Sequence, residues 1–407
     1  MIKSNTFSIG NLTKFFFLNL FLLPIYPDNL KPSCIVLFFV FTIYSAFTKK
    51  KDNKKRPKKY VYLLLINISI FVVLLLSIMY SSNIAVGLEY MFRLLPILLF
   101  PISFFLLKSN QNIFSKTLFT KAKLLFFSST LLLFIAVFFV FYFRGFVTEN
   151  YFLNYSYRII FQLGKYSMHP IYASLITSIA LIFSVSLYQQ HKYKLLIILG
   201  DVLLLINLIL LSRKSAIIIM GLLFLVFLFF KLKTSLKVKL ISVSLLICFF
   251  ILIGKFIPDI SNRFTELNSV FDEHKISSTN LRVNISKLTI KAISKEPFLG
   301  YGVGDTKDIL TDLQQKNTFF KGNYYNTHNQ FLGFTLASGV IGLVFFIVFL
   351  LTNLKLVFNK SFEQLAILML FISLMFIENI LDRQNGVIYF ALIINYFSFY
   401  NLINSPK

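Results

Sequence analysis

Long apolar runs separated by short polar breaks dominate the chain, and their lengths cluster near the roughly 20 residues that carry an α-helix across a bilayer. Twelve runs can be delimited, at 11–26, 32–48, 60–80, 84–107, 124–143, 169–188, 195–211, 215–230, 240–256, 331–352, 363–380 and 386–403. The first, seventh and eighth are short enough to lie tilted or half-embedded. The pattern predicts an all-α polytopic membrane protein: nine spans over residues 1–256, a long loop over 257–330, and three spans over 331–407. The first run does not read as a cleaved signal peptide. Pro24 and Pro27 break its end, and no small-x-small site follows.

Composition agrees. The 407 residues are 57% hydrophobic and only 14% charged, against about 25% charged in a soluble domain. Both cysteines, Cys34 and Cys248, fall inside apolar runs and point to neither a disulfide nor a metal site. The net charge of +25 invites a nucleic-acid partner, but its distribution argues for topology instead. Loops on one side of the membrane hold twenty basic residues and one acid, eight of the bases between Lys49 and Lys59. The loop 257–327 holds nine bases and eight acids. Basic loops stay in the cytoplasm, which predicts cytoplasmic termini, an extracytoplasmic long loop and no nucleic-acid partner.

The uneven split of nine spans, a loop and three spans lacks the paired halves of many secondary transporters. Within the loop, Asn284 to Lys295 is amphipathic. Ile285, Leu288 and Ala292 lie on one side, and Lys287, Lys291 and Lys295 recur at four-residue spacing. Pro297 stops this helix, and Leu299-Gly300-Tyr301-Gly302-Val303-Gly304 reads as a flexible turn. No β-α-β context surrounds these glycines, so they are not a dinucleotide fingerprint. An interfacial helix with its lysines at lipid head groups and a lid over a membrane-embedded cleft are compatible readings.

Charges inside apolar runs cost roughly 2.5–3.5 kcal/mol each at the centre of a span, so the few present are informative. Glu89 and Arg93 share a helix face and read as a neutralising pair. Asp201 is explained by exposure near the cytoplasmic interface. Arg213 and Lys214 sit at a tight turn on the side where basic residues are disfavoured. They either snorkel to head groups or form an anion site for a lipid phosphate. Glu378, Asp382 and Arg383 crowd the turn between the last two spans, as a salt-bridged cap or as a cavity lining. His328 stands where the long loop re-enters the membrane, with a side chain able to exchange protons near neutral pH. Gly339 and Gly342 follow on one face of the next helix, open to close approach by a neighbouring helix or a lipid. His169, His191 and His274 show no metal-ligand spacing.

Taken together, His328-Asn329, nine residues, Gly339, two residues and Gly342 resemble the signature of the bacterial O-antigen ligase family. Leu211-Ser212-Arg213-Lys214-Ser215-Ala216 resembles that family's Arg-bearing segment at a helix end. Asn280-Leu281-Arg282 through Lys295-Glu296-Pro297-Phe298-Leu299-Gly300-Tyr301-Gly302 resembles its Arg-led loop helix and the Pro-Leu-Gly motif after it. The sequence-level likeness covers about residues 205–345, and Lys214 and Ser215 before Ala216 depart from the usual pattern.

The resemblance implies a membrane glycosyltransferase similar to GT-C-like lipid-linked enzymes, with no cofactor and no metal. Its donor would be a glycan on undecaprenyl diphosphate and its acceptor a lipid A–core sugar hydroxyl, reached among membrane lipids on the periplasmic side of the inner membrane. Arg213 and Arg282 would hold the diphosphate and His328 would serve as base. Lys214, Lys287, Lys291, Asn329 and Arg383 would contact substrate. A repeat-unit polymerase shares this chemistry with another lipid-linked glycan as acceptor. A lipid-linked oligosaccharide flippase would need its charges at membrane depth instead.

Overall fold

The computed structural model describes residues 9–48, 58–109, 112–144, 151–190, 192–256, 278–320, 324–358 and 360–404. Among these residues every regular element is a helix. The N-terminal series is α1 (Ile9–Asn19, continued by a 3₁₀ turn to Ile25), α2 (Lys31–Thr48), α3 (Lys58–Ser77), α4 (Ile84–Leu106) and α5 (Lys116–Phe143). It continues with α6 (Tyr151–Phe161), α7 (Pro170–Gln190), α8 (Lys194–Leu210), α9 (Lys214–Phe230) and α10 (Leu236–Phe256). The C-terminal series is α11 (Ser278–Ile293), α12 (Thr306–Gln315), α13 (Gln330–Val357), α14 (Phe362–Met375) and α15 (Gln384–Asn404).

Each of the twelve apolar runs falls on a helix, and seven helices are long and apolar enough to cross a membrane: α2, α3, α4, α5, α7, α13 and α15. The chain is therefore an all-α polytopic membrane protein. Helix α15 carries apolar residues on every side and is enclosed almost throughout by its neighbours. It packs against α4 and α13, while α8 turns Leu195, Leu199 and Val202 outward as a lipid-facing surface requires. Between α3, α13 and α15, Asn67, Asn353, Asn395 and Ser398 bond one another, so these buried polar groups are satisfied by neighbouring helices. Lys123, one of the twenty basic residues assigned to the loops from the sequence (loop 108–123), is instead buried on α5 and paired with Glu363 of α14 at 3.0 Å.

Three departures from the sequence reading shape the end of the bundle where the site lies. Helices α6 and α12 were not anticipated. The amphipathic helix runs from Ser278 to Ile293 rather than from Asn284 to Lys295, burying Ile285, Thr289 and Ala292 and leaving Lys287 and Lys291 exposed. The third concerns the glycines. Gly339 is not a helical position facing a neighbour. It breaks α13 at φ 63°, ψ −167°, a region open essentially to glycine alone.

That break frees backbone groups, and the segment after α11 takes them up. Val340 N donates to Pro297 O at 2.8 Å, Tyr301 N to Leu336 O at 2.9 Å and Gly302 N to Ala337 O at 2.9 Å. A Cβ on Gly300 would lie 2.6 Å from the Leu336 oxygen, and one on Gly339 would overlap the Phe298 carbonyl. The same segment is pinned from its other side by the α3–α4 turn. Tyr80 Oη donates to Leu299 O at 2.6 Å, and the Asp305 carboxylate accepts Ser82 N and Asn83 N at 2.7 and 2.8 Å. The expected flexible turn is thus a fixed splint holding α11 over the start of α13.

Gly339→Ala is expected to expel this segment, because backbone strain of about 1–3 kcal/mol adds to the overlap with Phe298. The expected outcome is a lower melting temperature in detergent together with new protease cleavage between residues 294 and 305. An unchanged cleavage pattern would contradict the splint.

Candidate active site

One carboxylate organises the site. Glu378 lies in the turn after α14, with Oε1 3.0 Å from His328 Nδ1 and Oε2 3.7 Å from Arg282 Nη2. Burial would raise its pKa. The hydrogen bond from His328 and the positive charge of Arg282 outweigh that and hold the carboxyl below its ordinary value. It is an anion shared by an imidazole and a guanidinium.

His328 is held in a strained backbone position, φ 46°, of the kind that persists only where the surroundings enforce it. They do so by lacing residues 326–330 to residues 376–382. Asn329 Nδ2 donates to Phe376 O at 3.2 Å, Leu381 N donates to Gln330 Oε1 at 2.7 Å, and Thr327 Oγ1 lies 2.9 Å from Asn379 Oδ1. Asn326 Oδ1 caps the His328 N–H at 3.2 Å, and its amide reaches Asp382 Oδ2 at 3.4 Å. The imidazole is therefore placed by the two chain segments that meet on it.

Arg213 arrives from another side. It precedes α9 at the tight turn from α8, where Ser212 adopts φ 50°. Helix α6 braces that turn: Ser156 Oγ donates to Leu211 O at 2.6 Å and Tyr155 Oη to Asn207 Oδ1 at 2.8 Å. His169, the residue before α7, reports what surrounds it. Burial and the positive charges of Arg213 and Arg383, opposed by Glu378, depress its pKa to about 4. Arg213, Arg282, His328, Glu378 and Arg383 thus share one end of the bundle, around an imidazole kept neutral.

The remaining expectations divide. Lys214 opens α9 beside Arg213. Lys287 and Lys291 are on the exposed face of α11, away from Glu378's partner Arg282. Asn329, expected at the substrate, caps α13: its Oδ1 accepts the Leu332 N–H at 3.0 Å while its Nδ2 is committed to Phe376. An Asn directly before an apolar helix carries that capping signal in the sequence. Glu89 and Arg93 do face each other, at 3.9 Å and largely exposed. Asp201 lines an apolar cavity between α7, α8 and α9. Asp382 accepts a hydrogen bond from Tyr90 Oη at 3.0 Å, and burial pushes its carboxyl up to about 6. Glu378 as a hub and His169 as a member were missed; the lone signal for both was an ionisable residue at a span boundary. His191 and His274 lie outside the described residues, and no group of three His, Cys, Asp or Glu suited to a metal occurs among the described ones.

Residues 199–347 match the family model described as O-Antigen ligase. Over that segment the chain is similar to the O-antigen ligase family. The O-antigen ligase segment contains Arg213, Arg282, His328, Gly339 and Gly342, whereas Glu378, Arg383 and His169 lie outside it. No curated protein matches the chain.

Between about pH 6.5 and 4 an unfolded chain protonates His169 and the folded one does not. Stability therefore falls as pH drops through that window. His169→Asn is expected to flatten this part of the melting-temperature profile in detergent, and an equally steep profile would contradict the buried neutral imidazole.

Proposed function

We propose that the chain transfers a glycan from undecaprenyl diphosphate to a sugar hydroxyl of lipid A–core, on the extracytoplasmic side of the bacterial inner membrane. The observation that carries this reading is that His328 and Arg282 meet on one carboxylate with Arg213 at the same end of the bundle. The match of residues 199–347 to the O-antigen ligase family model supports a ligase- or polymerase-type glycosyltransferase; the asymmetry of basic loops supports twelve spans with cytoplasmic termini and the site outside.

The chemistry follows from the side chains. The acceptor oxygen attacks the anomeric carbon and the bond from that carbon to the diphosphate oxygen breaks, while the hydroxyl proton passes to His328. Attack opposite the leaving group inverts the anomeric configuration. Charge grows on the departing lipid diphosphate, and Arg213 and Arg282 stabilise it in a site poor in water. Two fixed guanidinium groups supply that charge, so no metal is required. Lys214 and Arg383 extend the positive field, and exposed Lys287 and Lys291 on α11 steer the anionic donor inward. The apolar cavity of about 610 Å³ lined by Ile209 and Ile217, on either side of the Arg213 turn, suits a polyprenyl tail.

Arg213→Ala, Arg282→Ala and His328→Ala are each expected to lower transfer by about 100-fold or more without impairing membrane insertion. The assay uses purified protein with a lipid-linked glycan, and either lipid A–core or a second lipid-linked glycan as acceptor, with and without chelator. Transfer to lipid A–core alone, unaffected by chelator, is the expected result. Extension of the second lipid-linked glycan would make the protein a polymerase, and wild-type rates in His328→Ala would remove the base from the mechanism.

A further inference from the structure

The base and the leaving-group clamp converge on the same acid, which has no role in the transfer as described above. We propose that Glu378 is a positioning residue that fixes the tautomer of His328 and holds Arg282 in competition with the donor diphosphate, coupling donor arrival to the readiness of the base. The inference rests on the transfer reaction proposed above and adds a residue outside the segment that matches the O-antigen ligase family.

The first half follows from hydrogen-bond bookkeeping. An ionised carboxylate only accepts, so at 3.0 Å from Oε1 the proton must sit on His328 Nδ1. Nε2 is left with its lone pair free, and it is the only ring nitrogen able to take a proton from an attacking hydroxyl. Once it does, the imidazolium stands beside an anion that stabilises it. Asn379 N also points at Oε1, at 3.4 Å, so that oxygen is fixed by backbone as well as by the ring.

The second half follows from the other oxygen. Oε2 lies 3.7 Å from Arg282 Nη2, a contact looser than a hydrogen bond. A diphosphate offers the same guanidinium two or more charged oxygens at bidentate geometry and outcompetes this contact. When Arg282 turns to the diphosphate, Glu378 loses its guanidinium partner and its charge falls more fully on His328. Coupling of this kind is reciprocal: whatever Glu378 gains from Arg282, the donor loses. The other ionisable groups acting on this carboxylate are His169 before α7 and Asp382 in its own turn.

The test separates binding from transfer. Glu378→Gln keeps an accepting oxygen but removes the charge. It is expected to bind undecaprenyl diphosphate several-fold more tightly than wild type while transferring at least about 10-fold more slowly. Glu378→Asp, which retains the charge, is expected to recover part of the rate. A residue needed only for folding would weaken binding and transfer together, and that result would overturn the proposal, as would wild-type transfer in Glu378→Gln. Imidazole ¹⁵N shifts in nanodiscs, with His328→Ala as the assignment control, provide a readout independent of the donor. His328 is expected to be Nδ1-protonated in wild type and to shift toward Nε2–H in Glu378→Ala; an unshifted tautomer overturns the positioning role. Wild-type protein that neither binds the diphosphate nor transfers would instead overturn the reaction on which this inference rests.

Discussion

A membrane helix that breaks must find partners for the amides and carbonyls it releases, because lipid offers none. Helix α13 breaks at Ser338–Gly339, and the segment from Pro297 to Gly302 supplies those partners. The rest of the site depends on that exchange. It fixes where α11 ends, and therefore where Arg282, one helix length upstream, stands relative to His328 at the start of α13. The glycines are required at the two points of closest approach, since a Cβ on Gly300 or Gly339 would meet backbone of the opposing segment. A sequence motif that reads as spacing is thus a backbone interface.

Electrostatics then decides what this scaffold can do. The end of the bundle carrying the site concentrates Arg213, Arg282 and Arg383 around two histidines and one ionised acid. An excess of fixed cations in a partly buried site favours an anionic ligand, and guanidinium groups retain their charge at any pH of interest. His169 illustrates the cost of that field: burial, together with the cations that would hold a diphosphate, keeps this imidazole neutral. Asp382, close to Glu378 yet braced by Tyr90, is pushed the other way by burial. Two acids four residues apart are therefore shifted in opposite directions, and Glu378, the more readily ionised of the two, is the anion that His328 and Arg282 share.

Much of the architecture was legible because lipid imposes a one-dimensional rule: apolar runs of the right length form helices, and all twelve did. Arg213 and His328 stood out as ionisable residues at span boundaries, and Arg282 only through the family resemblance. What the sequence did not reveal depends on contacts between distant segments. Glu378 looked like one of three charges in a turn, because nothing in its neighbours tells that Arg282, ninety-six residues earlier, and His328 share it. Asn329, expected at the substrate, also caps α13, a local role available from position alone. Gly339 was read as a helical small residue, because hydropathy does not report a backbone break that another segment fills. Helix α6 went unseen as it is short and only partly apolar, yet it braces the Arg213 turn.

The most direct measurement is an experimental structure of the protein in a lipid nanodisc with undecaprenyl diphosphate bound. The diphosphate is expected between the guanidinium groups of Arg213 and Arg282, with His328 Nε2 facing the open side of the phosphorus to which the sugar would be attached and Nδ1 still on Glu378. A diphosphate bound elsewhere, or Arg213 and Arg282 too far apart to contact the same ligand, would contradict the shared site.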